Sequence, residues 1–339
     1  MNNYDIIGGK VMFVGDLHFS DVYTGKHVAY LVNCNNVLRK ITDKIKESKP
    51  KALVLLGDII GWTETNIKNR EVLLMFLRVL KEWNSYCPVY AVRGNHDLKG
   101  CPDFLMFEQL GLIRTSTTTG GYFDYYGYDG QEVPEVRFHI VDYSSEFEPL
   151  ELADGETSNI ILGHNNFTIQ GQTNWYQEHD GIEVGLQKNF NGVDMILSGH
   201  IHNPSPEFVS TTTPDGNVCS LFYLGCPTRP IKEKNMYESC WFAFLEYTDE
   251  SKSSDISVER FELEPSEKIF HKDEDFIDER DEEEVAEEIR KEALKEVLED
   301  LLKYRINQGD PAKQIMSIPN ASKEAKEVAI RYINSAISE

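Results

Sequence analysis

Five short apolar runs, each closed by a glycine and a polar residue, set the rhythm of this chain. Val11-Met12-Phe13-Val14 runs into Gly15-Asp16-Leu17-His18, and Ala52-Leu53-Val54-Leu55-Leu56 into Gly57-Asp58. Pro88-Val89-Tyr90-Ala91-Val92 leads to Arg93-Gly94-Asn95-His96-Asp97. Asn159-Ile160-Ile161-Leu162 leads to Gly163-His164, and Met195-Ile196-Leu197-Ser198 to Gly199-His200-Ile201-His202. Apolar runs of this length predict strands buried on both faces. Helical patterns separate the first three. Residues 26–49 place Val28, Leu31, Val32, Val37, Leu38, Ile41 and Ile45 at helical spacing and stop at Lys49-Pro50; residues 69–85 do the same with Val72, Leu73, Phe76, Leu77 and Leu80. Strand, helix, strand, helix, strand predicts parallel pairing with polar residues gathered at the carboxyl edge.

The pattern changes over residues 121–143. Tyr and Phe cluster around Asp129-Gly130, and Val136, Phe138 and Ile140 alternate, which predicts a hairpin opening a second sheet. Tyr122, Tyr125, Tyr126 and Tyr128 read as sheet and surface packing, with base stacking as the alternative. Residues 165–181, carrying Trp175 and Tyr176, form a polar loop long enough to be functional. Strands return at 220–224, 240–246 and 256–263. A helix over 282–306 then lines up Val285, Ile289, Leu294, Val297, Leu298, Leu301 and Leu302, and Gly309-Asp310-Pro311 breaks it. From about residue 322 a second helix carries Val328, Ala329, Tyr332, Ile333, Ala336 and Ile337 on one face. The division is 1–265 as a catalytic domain, 266–281 as an acidic linker and 282–339 as a helical segment. That segment either packs on the main domain or docks another protein.

Composition narrows the classes. With 339 residues there is chain for one large domain and an appendage. No apolar run approaches the roughly 18 residues that span a bilayer, and the first residues lack a basic, cleavable leader, so a cytoplasmic protein without membrane association is expected. Cys34, Cys87, Cys101, Cys219, Cys226 and Cys240 form no C-x-x-C pair and read as reduced structural thiols. A net charge of −23 argues against a nucleic-acid binder until its distribution is seen. Residues 273–300 hold 15 acidic against 4 basic residues, a net −11 in one segment. Contact of the remaining acidic surface with a polyanion would depend on bound cations and a local patch.

The strand ends carry the chemistry. Asp16 and His18, two apart in an extended chain, can reach one common point. The other ends add Asp58, Asn95, His164, His200 and His202. Oxygen and imidazole donors without thiolates suit manganese first, with iron or zinc as alternatives. Two ions share about seven ligands, and a carboxylate can bridge a pair roughly 3.5–4 Å apart. Asp58 is the natural bridge.

The set D-x-H, G-D, G-N-H-D, G-H, G-H-x-H resembles the calcineurin-like metallophosphoesterases over about residues 10–205. The resemblance implies an α/β fold, a two-sheet β sandwich flanked by helices, here with a C-terminal helical appendage. It implies Asp16, His18, Asp58 and His202 on one metal ion and Asp58, Asn95, His164 and His200 on the other. It casts His96 as the group that holds the phosphate or protonates the leaving oxygen, with Asp97 orienting its ring.

Tyr223-Leu224-Gly225-Cys226-Pro227-Thr228-Arg229 resembles the Y-x-G-S/T-P segment of the SbcD nucleases, whose helical tails bind the coiled-coil base of an SbcC-type ABC ATPase. The chain departs from that group at Phe19-Ser20, where L-G is usual, and at Gly61, where G-D-x-x-D has an aspartate. It also leaves little room for a separate DNA-capping domain, which resembles the compact phage type. The expected function is therefore a metal-dependent DNA nuclease subunit in recombination or repair, partnered through its tail. The alternative is a small-substrate phosphodiesterase or phosphatase of the same fold, and a non-catalytic scaffold is disfavoured because all seven ligands are present. Whether the chain is a monomer or a homodimer stays open.

Overall fold

Strand alternation sorts the side chains of this protein into separate cores in the computed structural model. It describes residues 3–20, 30–61, 67, 70–98, 101–144, 148–153, 155–169, 181–228, 237–248 and 253–269, together with Met316, Lys323, Lys326, Glu327 and Ile330. Trp175, Tyr176, the start of the helix expected at 26 and nearly all of 282–339 lie outside the described residues.

The first part alternates strand and helix: β1 (Ile6–Ile7), β2 (Lys10–Val14), α1 (Tyr30–Ser48), β3 (Ala52–Leu55), α2 (Arg70–Tyr86), β4 (Val89–Ala91) and the single turn α3 (Asn95–Leu98). Two short helices, α4 (Pro102–Gln109) and α5 (Ser116–Thr119), precede β5 (Tyr122–Tyr126), β6 (Val136–Val141) and β7 (Ser158–Gly163). Then come β8 (Phe167–Thr168), β9 (Ile182–Glu183), β10 (Met195–Ser198), β11 (Val209–Thr212), β12 (Val218–Tyr223), β13 (Ser239–Thr248), β14 (Ser253–Glu262) and α6 (Ser266–Ile269).

Two sheets result. One runs β14-β13-β2-β3-β4 and the other β1-β5-β6-β7-β10-β12-β11, while β8 and β9 pair apart. The β2, β3 and β4 strands are parallel, and so are β6, β7, β10 and β12. Val11 and Phe13 of β2, and Ala52 and Val54 of β3, face the second sheet and pack with Phe123, Phe138, Ile160, Leu197 and Phe222. Phe13 and Phe138 meet across the gap with ring centroids 5.6 Å apart. The intervening residues Met12, Val14, Leu53 and Leu55 face the other way, onto Val37, Leu38 and Ile41 of α1 and Phe76 and Leu80 of α2. The outer face of the second sheet has its own cover, in which Ile161, Ile196 and Leu221 pack with Phe167, Val184 and Phe190. Each fully buried large side chain contributes about 1.5–3 kcal/mol. After Lys10, the parallel strands β2, β3 and β4 carry only apolar residues for that reason.

The helices follow from local rules. Lys49 takes a left-handed φ of 49°, its N–H bonds the Ile45 carbonyl at 2.8 Å, and Pro50 cannot continue the turn. Trp83 of α2 is buried and donates its Nε1–H to Thr42 of α1 at 2.8 Å, locking the two helices together. The expected hairpin is β5 and β6, paired antiparallel. The packed body reaches Ile269, which is buried in the helix-side core, four residues past the boundary expected at 265. Ile330, from the segment expected to be helical, packs against that same core.

Candidate metal centre

Register brings the strand ends together. Val14 pairs with Leu55 and Leu55 with Ala91, so the chain segments carrying Asp16, Asp58 and Asn95 leave the first sheet side by side. Ser198 pairs with both Gly163 and Tyr223, which does the same for His164 and His200 in the second sheet. Beyond the strands the backbone stays paired: His18 N–H donates to Asp58 O at 2.8 Å and Phe19 N–H to Ile59 O at 2.9 Å.

Three of the expected ligands hold left-handed backbone angles, His18 at φ 42°, Asp58 at 43° and His200 at 76°. A side chain in this region is disfavoured by about 1–3 kcal/mol and persists where its surroundings impose it, commonly at functional sites. Two glycines allow the close approach. A Cβ on Gly94 would strike Asp58 Oδ1 and its backbone nitrogen, and one on Gly199 would strike Asp16 Oδ1 and the Leu56 carbonyl.

All seven expected ligands converge. Asp16, His18 and His202 are buried, with donor atoms within 4.8 Å of one another. Asp58 Oδ2 lies 3.7 Å from His18 Nε2 and 3.1 Å from His164 Nε2. Asn95 Oδ1 stands 3.3 Å from His164 Nε2 and 3.1 Å from His200 Nδ1. Asp58 thus stands between two groups, with its other oxygen held by the His96 backbone N–H at 2.9 Å. Two of the rings are held from behind: His18 Nδ1 meets the Gly61 carbonyl and His164 Nδ1 the Leu56 carbonyl, each at 2.7 Å. Such bonds orient the two rings so that Nε2 faces the other donors; at His18 it offers a lone pair, and at His164 it would do so once a cation displaces the proton.

The charge states fit a cation site. Burial holds His18 and His200 at about 4 and His202 at about 3, so all three are neutral donors near pH 7. At Asp58 burial is outweighed by His164, His18 and His96, which draw the carboxyl well below its usual range. At His164 burial is outweighed by Asp58 and Asp16, which raise the imidazole well above its usual value. A proton held between two buried carboxylates marks a position where a cation belongs. Among the described residues, the ion-pair partners of Asp16 and Asp58 are histidines, without lysine or arginine. The donor set therefore fits divalent ions.

His96 sits at the rim. Its Nε2 lies 3.9 Å from Asp58 Oδ2, and its ring meets that of His18 edge-on at 5.3 Å. Asp97 is buried, and its oxygens accept the backbone N–H groups of Ile59, Ile60 and Gly94 at 3.0–3.3 Å. These bonds tie the Asp58 loop to the Gly94 turn. Burial, with the nearby Asp58 charge, pushes this carboxyl up to about 8.

Tyr143 also belongs to the site, and the motifs do not point to it. Its ring centroid lies 5.5 Å from that of His200 and 6.4 Å from that of His164, and the residue is 36% exposed. Asp142 anchors it by accepting the Arg93 N–H at 2.8 Å and the Ser116 hydroxyl at 2.6 Å, and Tyr143 N–H donates to the Arg93 carbonyl. The signal was available, since β6 is a sixth strand ending in polar residues at the same edge.

No curated protein matches this chain in sequence. Among solved structures, a dimetal phosphatase from Danio rerio is 12% identical with a TM-score of 0.43, covering 75% of this chain and 96% of that one. The protein TT1561 of Thermus thermophilus is 11% identical with a TM-score of 0.39, covering 74% and 98%. Residues 9–204 match the family model of the calcineurin-like phosphoesterases and span every residue placed around the two donor groups. The chain belongs to the calcineurin-like phosphoesterase family and is a metal-dependent phosphoesterase.

Proposed function

We propose that this chain hydrolyses DNA phosphodiester bonds as the nuclease subunit of an SbcCD-like recombination and repair complex. The observation that carries this reading is the Tyr223–Arg229 segment, which resembles the SbcD nucleases and whose described residues brace the donor set. The Tyr223 hydroxyl takes the Phe167 N–H at 2.6 Å and so pins the loop after His164. In this reading Asp16, His18, Asp58 and His202 hold one divalent ion, and Asp58, Asn95, His164 and His200 a second. Bound divalent ions supply charge that neutralises the phosphoryl oxygens and acidifies water, with manganese as the first choice and iron or zinc next. Asp58, placed between the two donor groups, would be shared by both ions. His96, partly open at the rim, carries the proton for the leaving oxygen. The apolar stripe of 282–339 is the docking element for a coiled-coil ATPase.

Full-length protein with Mn²⁺ should degrade linear DNA, and His96→Ala should not. DNA left intact by wild type, with its ATPase present, would overturn the proposal. The net charge of −23 favours a second reading, a phosphodiesterase or phosphatase for small substrates, because an acidic surface repels a polyanion. Turnover of cyclic nucleotides or phosphoprotein without action on DNA would select it. Deleting the residues after Lys272 should spare metal binding and abolish ATPase capture; capture by the truncated chain would sink the docking idea.

A further inference from the structure

Three consecutive carbonyls of the first metal motif each receive a hydrogen bond from a side chain outside it. Cys226 Sγ–H donates to the Asp16 carbonyl at 3.1 Å, the Thr228 hydroxyl to that of Leu17 at 2.8 Å, and the Tyr30 hydroxyl to that of His18 at 2.7 Å. The donors also touch one another: the Cys226 sulfur and the Tyr30 oxygen each lie 3.4 Å from Thr228 Oγ1. All three are buried, at 5% exposure for Tyr30, 0% for Cys226 and 2% for Thr228. Water is therefore shut out as a replacement donor, and a buried carbonyl left without one is strongly disfavoured.

The turn needs this support. The β2 ladder ends at Val14, yet Asp16 and His18 must aim at one point while His18 holds a left-handed φ of 42°. The N–H side of the turn is tied to the Asp58 loop by the bonds from His18 and Phe19. Among the described residues, no strand pairs with the carbonyl side. Tyr30, Cys226 and Thr228 fill that side, so the turn is bonded along both edges. The close approach is backbone against backbone as well, since a Cβ on Gly15 would strike the Gly225 carbonyl.

We propose that Tyr30, Cys226 and Thr228 are positioning residues that set the affinity of the ion held by Asp16 and His18, and that Cys226 acts as a hydrogen-bond donor. This explains why a thiol stands where the resembling nuclease segment has Ser or Thr. All three residue types offer one hydrogen to the Asp16 carbonyl, and the thiol is the weakest of them. Cys226 is neither a metal ligand nor a redox group here, because its sulfur faces the back of the turn. The proposal rests on the two-metal reading of the site.

The test is calorimetric titration of the full-length chain with Mn²⁺. Wild type should bind two ions. Cys226→Ala, Thr228→Val and Tyr30→Phe should each weaken one of the two affinities by about tenfold and leave the other within about twofold, as loss of an outer partner of a metal ligand does. Cys226→Ser and Thr228→Ser should restore wild-type affinity within about threefold. Thermal unfolding of each chelated variant separates a lost fold from a displaced ligand, and a position whose apolar variant unfolds is decided by the other two. Equal binding by Cys226→Ala and Cys226→Ser, or an equal loss at both ions, would overturn the proposal. Wild type that binds no divalent ion would overturn the two-metal reading itself.

Discussion

His18 and His202, 184 positions apart in the chain, bring their Nε2 atoms to 3.0 Å from each other. The Gly61 carbonyl occupies the other nitrogen of His18, so its Nε2 offers a lone pair. Either His202 donates a proton into that lone pair or both nitrogens share a cation. The neighbouring Asp16 and Asp58 carboxylates favour the cation. His202→Ala should therefore lower the metal content from two ions to one per chain, read by plasma mass spectrometry. Phosphoester turnover should fall by about 10²-fold or more, exceeding the loss of an outer partner. Two ions retained in this variant would remove His202 from the ligand set.

His96 makes a contrasting case. Its ligand atom lies within 4.8 Å of those of His18 and Asp58, 3.9 Å from Asp58 Oδ2, and its backbone N–H holds the other Asp58 oxygen. His96→Ala keeps that N–H. Metal content should be unchanged while kcat falls by about 10²–10⁴-fold, the range for losing a positioned proton donor. A variant that loses metal and activity together would make His96 a ligand.

Tyr143 presents an aromatic face beside His200. If the substrate is DNA, a nucleobase can stack there, and one such contact contributes about 1–3 kcal/mol. Tyr143→Ala should raise KM for DNA by about tenfold with kcat little changed, and Tyr143→Phe, which keeps the ring, should stay near wild type. An unchanged KM in the alanine variant would exclude stacking.

The donor set was legible in the sequence because each ligand follows an apolar strand and a glycine, and parallel pairing forces such ends to one edge. The same logic shows that these ends share an edge but not the order of the strands or the angle of each turn. The left-handed φ of His18, Asp58 and His200 arises from the packing of five segments and leaves no local trace. Asp97 was legible as a neighbour of His96, whereas its bonds to Ile59 and Ile60 depend on where the β3 loop lands. Tyr30, Cys226 and Thr228 escaped because their partners are backbone carbonyls, which look alike in every sequence. The β14 strand begins at Ser253, earlier than its apolar residues suggest, because the backbone ladder to β13 runs through polar Ser253, Ser254 and Asp255.

The buried histidines make the pH response of the chelated protein predictable in sign. His18 and His200 are held at about 4 and His202 at about 3, whereas an unfolded imidazole titrates at 6.5. Between pH 4 and 6.5 the unfolded chain therefore binds more protons at these residues, and their contribution to stability grows as pH rises. Asp97 opposes them: raised to about 8, it is protonated in the folded chain and ionised in the unfolded one, so its contribution declines over the same window. Three groups outweigh one, and stability should rise from pH 4 to 6.5. Above 6.5 the three are neutral in both states. His164, raised by Asp58 and Asp16, then joins Asp97, and both contributions are lost as pH climbs through their folded values. The urea midpoint of chelated protein should accordingly peak near pH 6.5. Replacing the proton on the His164 side of Asp58 by a divalent cation should flatten the alkaline limb, so added Mn²⁺ should raise the midpoint more at pH 8 than at pH 6. A midpoint that falls steadily from pH 4 to 8 in the chelated chain would contradict the burial of neutral imidazoles at this centre.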